Sequence, residues 1–367
     1  MRLKKIMLGG LTAVLLLTGC SSSTSSQRTS ANATDASSFS GDYYKMIDTG
    51  RGTNSENLYL EFSSTNDLIT IGSGLQILSE SHFSTDSYYL SEGTQLTNDD
   101  YEQLLKRDAS GTKKNKMKYP DTLQVAHGTT LDGIKDPIMA DTLTEQDYYV
   151  KSGTKYKLAG ISFAIIVNPK TSDNKKFDTT MSSTTIRNYS RDAIKKMYKY
   201  IRLKKKSLRN LPINICIYRA NDDEVSTING NYIYQAYCTN GNVGSMKSVN
   251  HENVTFTSDR AKKLDATAYS DFVTVKNALK NASTESAGLV GTGHYINGTL
   301  QSMKIEAHLN IKTYTELLYL TSVLADRINS KFTEDFNIKC LVYSQDELMA
   351  IIIKNKGEDA KTTIIEE

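Results

Sequence analysis

The sequence predicts an α+β fold of mixed sheets with packed helices, including two related β-α-β modules in its C-terminal part. Three observations predict it. From about residue 156, apolar runs of strand length alternate with longer segments of helical period. Two such successions, 156–224 and 300–355, end alike. Cys216-Ile217-Tyr218-Arg219-Ala220-Asn221-Asp222-Asp223-Glu224 stands beside Cys340-Leu341-Val342-Tyr343-Ser344-Gln345-Asp346-Glu347. Of the 367 residues, 348 follow residue 19, which is enough for one large domain or two smaller ones.

Residues 1–19 read as a leader. Arg2, Lys4 and Lys5 precede an apolar run from Ile6 to Leu17. A membrane span needs about 20 apolar residues, so this shorter run is the core of a secretory signal. It ends in Leu17-Thr18-Gly19-Cys20, a lipobox. Small side chains leave room at the cleavage site. A thiol at Cys20 allows a diacylglyceryl thioether, whose acyl chains contribute about 0.8 kcal/mol per buried methylene. Cys20 is therefore the expected lipidation site, membrane lipid the expected partner, and the outer side of the cell membrane the expected location. Residues 20–40 are mostly Ser, Thr, Ala and Asn, too polar to fold, and read as a flexible linker.

Residues 41–155 form an N-terminal α+β region. Leu58 to Phe62 and Tyr88 to Leu90 read as short strands, and Leu75 to Leu78 has no clean period. Thr97-Asn98-Asp99-Asp100 reads as a helix cap, and Tyr101, Leu104 and Leu105 follow at helical spacing in a short helix to about Arg107. Lys106 to Lys118 carries six Lys/Arg. It reads as a solvated loop, with contact to anionic wall polymer or lipid as the alternative.

Residues 156–367 form the C-terminal α/β region. Leu158 to Val167 is a buried strand stopped by Asn168-Pro169. Thr184 to Leu203 is a helix with Ile186, Ala193, Ile194, Met197 and Ile201 on one face. Ile213 to Tyr218 completes the first unit. Ser258 to Asn281 reads as one helix, and Gly291-Thr292-Gly293 as a loop. Met303 to Ile311 alternates as a half-buried strand. Tyr314 to Phe332 is a helix, and Asn337 to Tyr343 and Leu348 to Lys354 are strands.

The formal charge of +3 comes from 44 basic and 41 acidic residues. The leader holds three of the basic ones, so the rest of the chain balances at 41 against 41. No global charge argues for nucleic acid. Past Cys20 lie Cys216, Cys238 and Cys340, an odd number that leaves at least one unpaired. Cys216 and Cys340 sit in apolar runs and read as small core residues.

The chain resembles the CamS-type sex pheromone lipoproteins of Gram-positive bacteria. The likeness lies in Tyr43-Tyr44-Lys45-Met46-Ile47, Gly74-Leu75-Gln76-Ile77-Leu78-Ser79-Glu80 and Ser87-Tyr88-Tyr89-Leu90-Ser91-Glu92-Gly93. It is plainest at Ile161 to Val167 and at Leu211-Pro212-Ile213-Asn214-Ile215-Cys216-Ile217-Tyr218. The resemblance implies a lipoprotein whose signal peptide is trimmed to a short apolar mating signal. The matching stretch here is Ala13-Val14-Leu15-Leu16-Leu17-Thr18-Gly19, which departs from such peptides at Thr18-Gly19. The alternative reading of 13–19 is a discarded remnant.

Catalytic patterns are few. The sequence holds no Gly-x-Ser-x-Gly, no His-Glu-x-x-His and no phosphate loop, and nothing calls for a cofactor or metal. Glu306 and His308, two apart on a strand, share a face. With His294 they would make a metal site or a hydrolytic centre, although two polar residues on a wet strand face are commoner. Cys238 with a distant histidine would be a thiol nucleophile. The sequence therefore supports a non-catalytic anchored protein that binds a peptide, cell-wall polymer or surface protein. The alternatives are a cell-envelope hydrolase and a solute-binding lipoprotein with two lobes around a cleft.

Overall fold

The computed structural model describes residues 44–50, 65–170, 181–220, 230–283, 285, 288–333 and 336–365. The expected strand at 58–62 lies outside them. Two mixed sheets carry the chain.

The first sheet has seven strands: β1 (Lys45–Met46), β2 (Tyr89–Glu92), β5 (Ile138–Ser152), β6 (Lys155–Lys170), β7 (Ile213–Arg219), β8 (Asn231–Cys238) and β9 (Lys247–Ser248), in that spatial order. A small ribbon, β3 (Thr130–Leu131) with β4 (Ile134–Lys135), precedes the long hairpin β5–β6. β6 and β7 are parallel and are joined by helix α3 (Ser183–Lys204). The expected division at 155 falls inside the β5–β6 hairpin, so this sheet takes strands from both sides of it.

Helices cover both faces of this sheet. α3 and α2 (Asn98–Leu105) pack on one face, through Tyr101, Leu104, Ile186, Ala193, Ile194, Met197 and Ile201 against Phe163, Ile165, Ile213, Ile215 and Ile217. α1 (Thr65–Glu80) packs on the other, through Ile71, Leu75 and Leu78 against Ala164, Ile166, Cys216 and Tyr218. Those three apolar residues stand at i, i+4 and i+7, a helical spacing that Gly72 and Gly74 mask in the sequence. Each fully buried Leu or Ile contributes about 1.5–3 kcal/mol.

Caps fix the helix starts. Thr97 and Asp100 form a reciprocal capping box at α2, which ends at Leu105. Ser182 accepts from the Thr185 amide at α3, and Arg202 and Lys204 complement the negative end of its dipole. β6 runs through Asn168-Pro169 to Lys170 rather than stopping before them. Its ladder with β7 ends at Val167, so the missing proline N–H breaks no bond on that side.

The second sheet orders β10 (His251–Thr255), β11 (Gly288–Ile296), β12 (Thr299–Leu309), β13 (Asn337–Ser344), β14 (Glu347–Lys354) and β15 (Lys361–Ile364). α4 (Asp259–Leu264), α5 (Ala266–Ala282) and α6 (Tyr314–Lys331) pack on one face. The single helix expected over 258–281 is two. Asp265 leaves the helix at φ −150° and caps α5 by accepting from the Ala268 amide at 2.9 Å. Gly291 and Gly293 are strand residues, not a loop. A Cβ at Gly291 would lie 2.5 Å from the Phe272 ring, and one at Gly293 2.5 Å from that of Phe256.

The two sheets repeat one scheme. β2-β5-β6-β7-β8-β9 and β10-β11-β12-β13-β14-β15 both pair antiparallel, antiparallel, parallel, antiparallel, antiparallel. The Cys216–Cys340 likeness does not follow this correspondence. Cys216 faces α1, whereas Cys340 faces the crossover-helix layer, as Ile215 does in the first sheet. A shift of one residue exchanges the faces of a strand.

Candidate functional site

The lipobox Leu17-Thr18-Gly19-Cys20 and the peptide Ala13 to Gly19 lie outside the described residues. Among these, no helix is long and apolar enough to cross a membrane.

Glu306, His308 and His294 do not converge. His294 pairs in register with Ser302, so Glu306 lies four strand residues away and His308 six. At about 3.4 Å per residue these are separations of about 14 and about 20 Å. Glu306 instead pairs with Lys304 at 2.8 Å, and the His308 ring stacks on Tyr343 with centroids 5.3 Å apart. The metal site and hydrolytic centre built on these three residues therefore have no common centre. Cys238 is fully buried, with Sγ 3.7 Å from the Ala236 carbonyl oxygen, and burial raises its thiol pKa. It is not an activated nucleophile. Cys216 and Cys340 are buried free thiols.

His294 belongs to a different group, at the seam between the sheets. Its Nε2 faces Nε2 of His251 in a short hydrogen bond, and its Nδ1 lies 2.8 Å from Asn253 Oδ1. The asparagine oxygen accepts, so His294 carries its proton on Nδ1 and its Nε2 accepts from His251. The His251 ring also packs on Tyr232 of β8, with centroids 5.4 Å apart, and the Tyr232 hydroxyl donates to the Ile71 carbonyl at 2.6 Å. A Cβ at Gly74 would lie 2.6 Å from the Tyr232 ring and 2.8 Å from His251. α1, β8 and β10 therefore meet at one glycine.

Burial, reinforced by His294, lowers the His251 pKa to about 3, and burial lowers that of His294 to about 4. The pair is neutral at pH 7. Two imidazoles suit a metal, but among the described residues no three His, Cys, Asp or Glu side chains gather to hold one.

A second buried polar group lies within the first sheet. Glu145 and Asp147 on β5 point to one face beneath residues 93–96. Glu145 accepts from the Gln95 amide at 2.7 Å and the Leu96 amide at 2.9 Å. Asp147 accepts from the Thr94 amide at 3.2 Å and Gln95 Nε2 at 2.9 Å. Burial, followed by the charge of Asp147, pushes Glu145 well above the usual carboxylate range, and burial raises Asp147 to about 6. Both are closed to solvent, and a Cβ at Gly93 would lie 2.4 Å from that of Glu145. The pair clamps a loop and gives no substrate access.

A cleft of about 350 Å³ lies between residues 123–131 and α3, lined by Leu123, Val125, Leu131, Tyr189, Asp192 and Lys196. It sits within the first unit rather than between the two sheets, which is where a two-lobed solute-binding protein would hold its ligand.

The sequence did not point to His251 or to the Glu145–Asp147 pair. His251 meets a partner 43 residues away, which no local pattern discloses. Glu145-x-Asp147 carried only the spacing of a wet strand face.

The match to known proteins decides the family. A family model described as CamS sex pheromone cAM373 precursor matches residues 48–360. The chain belongs to this family. The CamS fold is also seen in a sex pheromone precursor from Lactobacillus salivarius, which has 21% identity, covers 92% of this chain and 100% of that one, and has a TM-score of 0.75. The C-terminal domain of the sex pheromone staph-cAM373 precursor from Staphylococcus aureus has 18% identity, covers 84% and 99%, and has a TM-score of 0.68. At these identities the likeness is one of fold. No curated protein matches the chain. The described CamS-like blocks lie largely in the first sheet and α1, with Leu75 and Leu78 in α1, Ile161 to Val167 in β6 and Ile213 to Tyr218 in β7.

Proposed function

We propose that the chain is a non-catalytic lipoprotein, anchored through Cys20 to the outer side of the cell membrane, whose signal peptide is the precursor of a pheromone-like peptide. The observation that carries this reading is Leu17-Thr18-Gly19-Cys20 at the end of a basic and apolar leader, in a chain of the CamS precursor family. The polar linker 20–40 would let the folded part stand clear of the bilayer. Several acyl chains on one cysteine hold a protein firmly, because each buried methylene adds about 0.8 kcal/mol. The dispersal of Glu306, His308 and His294 supports a binding role, with a peptide, wall polymer or neighbouring surface protein as partner.

Cell fractionation of the wild type and Cys20→Ala tests the anchor. Wild type is expected in the membrane fraction and the variant in the medium or as unprocessed precursor. Equal partitioning of mature wild type and variant would sink the reading. The peptide is tested separately, by a search of the medium for Ala13 to Gly19 or a trimmed form. Its absence would leave 13–19 as a remnant.

A further inference from the structure

The charge of this chain is unevenly placed. Beyond residue 19 it balances, yet residues 183–209 hold ten basic residues and one acidic, Asp192, and residues 106–118 hold six basic and one acidic, Asp108. The fold ties the ends of both segments to α2, where Lys118 Nζ lies 3.2 Å from Glu102, and it sets α3 against residues 121–124, just past the second segment. Lys196 Nζ donates to the Thr122 carbonyl at 2.9 Å and to that of Gln124 at 3.1 Å. Lys204 Nζ lies 3.6 Å from Asp121, and Lys205 Nζ 2.5 Å from Asp100 at the start of α2.

Those contacts occupy the cations on the inner flank of α3. Lys113, Lys114 and Lys116 in the second segment, and Lys195, Lys199 and Lys206 in the first, are exposed and form no ion pair among the described residues. At about 100° per residue, Arg191, Lys195, Lys199 and Leu203 share an arc of about 120° on the solvent face of α3. Two apolar side chains stand open among these cations, Leu203 at 58% exposure and Met117 at 44%. A single exposed apolar residue is ordinary. Two of them, on two segments rich in unpaired positive charge and tied to the same helix, offer a surface that is both cationic and apolar. A soluble polyanion would use only the charge, whereas a lipid surface uses both.

We propose that this face seats on an anionic lipid surface, with the lysines against the headgroups and Met117 and Leu203 entering the acyl boundary. The proposal deepens the anchored-lipoprotein reading. The patch adds a second contact to the lipid attachment at Cys20, and the tether keeps the patch near its target.

The test uses the chain from residue 20 onward with Cys20→Ser, so that no attached lipid contributes, and phosphatidylcholine vesicles with and without phosphatidylglycerol. Sedimentation is expected to show binding only with phosphatidylglycerol, weakened about tenfold or more on going from low to high salt. Lys195→Glu/Lys199→Glu is expected to lower binding about tenfold or more. Met117→Ser/Leu203→Ser is expected to lower it about threefold or more with an unchanged salt slope, and unchanged melting of both variants excludes misfolding. No binding to the anionic vesicles, or binding that neither variant alters, overturns the proposal. So does a neutral Met117/Leu203 variant that binds soluble polyphosphate as well as vesicles, which would assign the face to a polymer. Because this protein carries no lipid, its failure to bind leaves the Cys20 reading standing, and an unlipidated Cys20 in cells leaves vesicle binding standing.

Discussion

The two sheets share an order and a set of strand directions but differ in what covers them. Every residue of β7 from Ile213 to Tyr218 is buried, whereas β13 alternates buried and exposed positions. α1 makes the difference. It closes the second face of the first sheet, while the outer face of the second sheet carries Lys304, Glu306, His308, Tyr343 and Ile353 toward solvent. The second covered face brings polar groups inside, where Ser79, Ser162 and Asn214 form a small network. Ser79 and Ser162 hydroxyls bond at 2.7 Å, and Asn214 donates to Ser79 at 3.4 Å. One topology thus tolerates a closed or an open outer face, and the side-chain pattern decides which.

Matched isoleucines break this comparison most sharply. Ile166→Ala, beneath α1, is expected to cost about 2–5 kcal/mol, and Ile353→Ala, on the open face, no more than about 0.5 kcal/mol, in urea unfolding. Equal losses would mean that the second sheet is also covered. Gly74→Ala strikes the seam, where the new methyl has no room beside Tyr232 and His251. A loss of about 1–3 kcal/mol is expected from melting.

The next effect depends on pH. The histidine pair has its pKa values lowered from 6.5 to about 3 and about 4, so its contribution is present above pH 6.5 and is lost as pH falls toward 4. Asp147 is raised from 3.8 to about 6. Its contribution is present below about pH 4 and is lost as pH rises through about 6. The seam and the first sheet therefore pull in opposite directions over the same window. Urea midpoints from pH 7 to 4.5 should fall less on acidification in His251→Asn than in wild type, and further in Asp147→Asn. Parallel curves for all three would show that neither group is linked to folding. The smallest effect is expected for His308→Ala, within about 0.5 kcal/mol, since its ring only stacks on Tyr343 at the surface.

The contrast between the sheets was partly legible in the sequence. The continuous apolar run of β7 and the alternation in β12 and β13 disclose two covered faces and one. β5 was not legible, because Thr142, Thr144, Glu145 and Asp147 read as polar yet are all buried. Tertiary packing outweighs propensity there, through the loop at 93–96 that binds both carboxylates. Gly291 and Gly293 misread as a loop for a similar reason, since aromatic rings from the core take the space of their missing side chains. The Leu17-Thr18-Gly19-Cys20 reading rests on a linear motif alone and lies outside the described residues. The His251–His294 contact was not legible, because it exists only once β10 pairs with β11.

The anchored-lipoprotein account is tested most directly by mass spectrometry of the mature N-terminus from the membrane fraction of the native cell. The account predicts a chain that begins at Cys20 and carries the added mass of a diacylglyceryl group. A mature chain that begins elsewhere, or an unmodified Cys20, would contradict it.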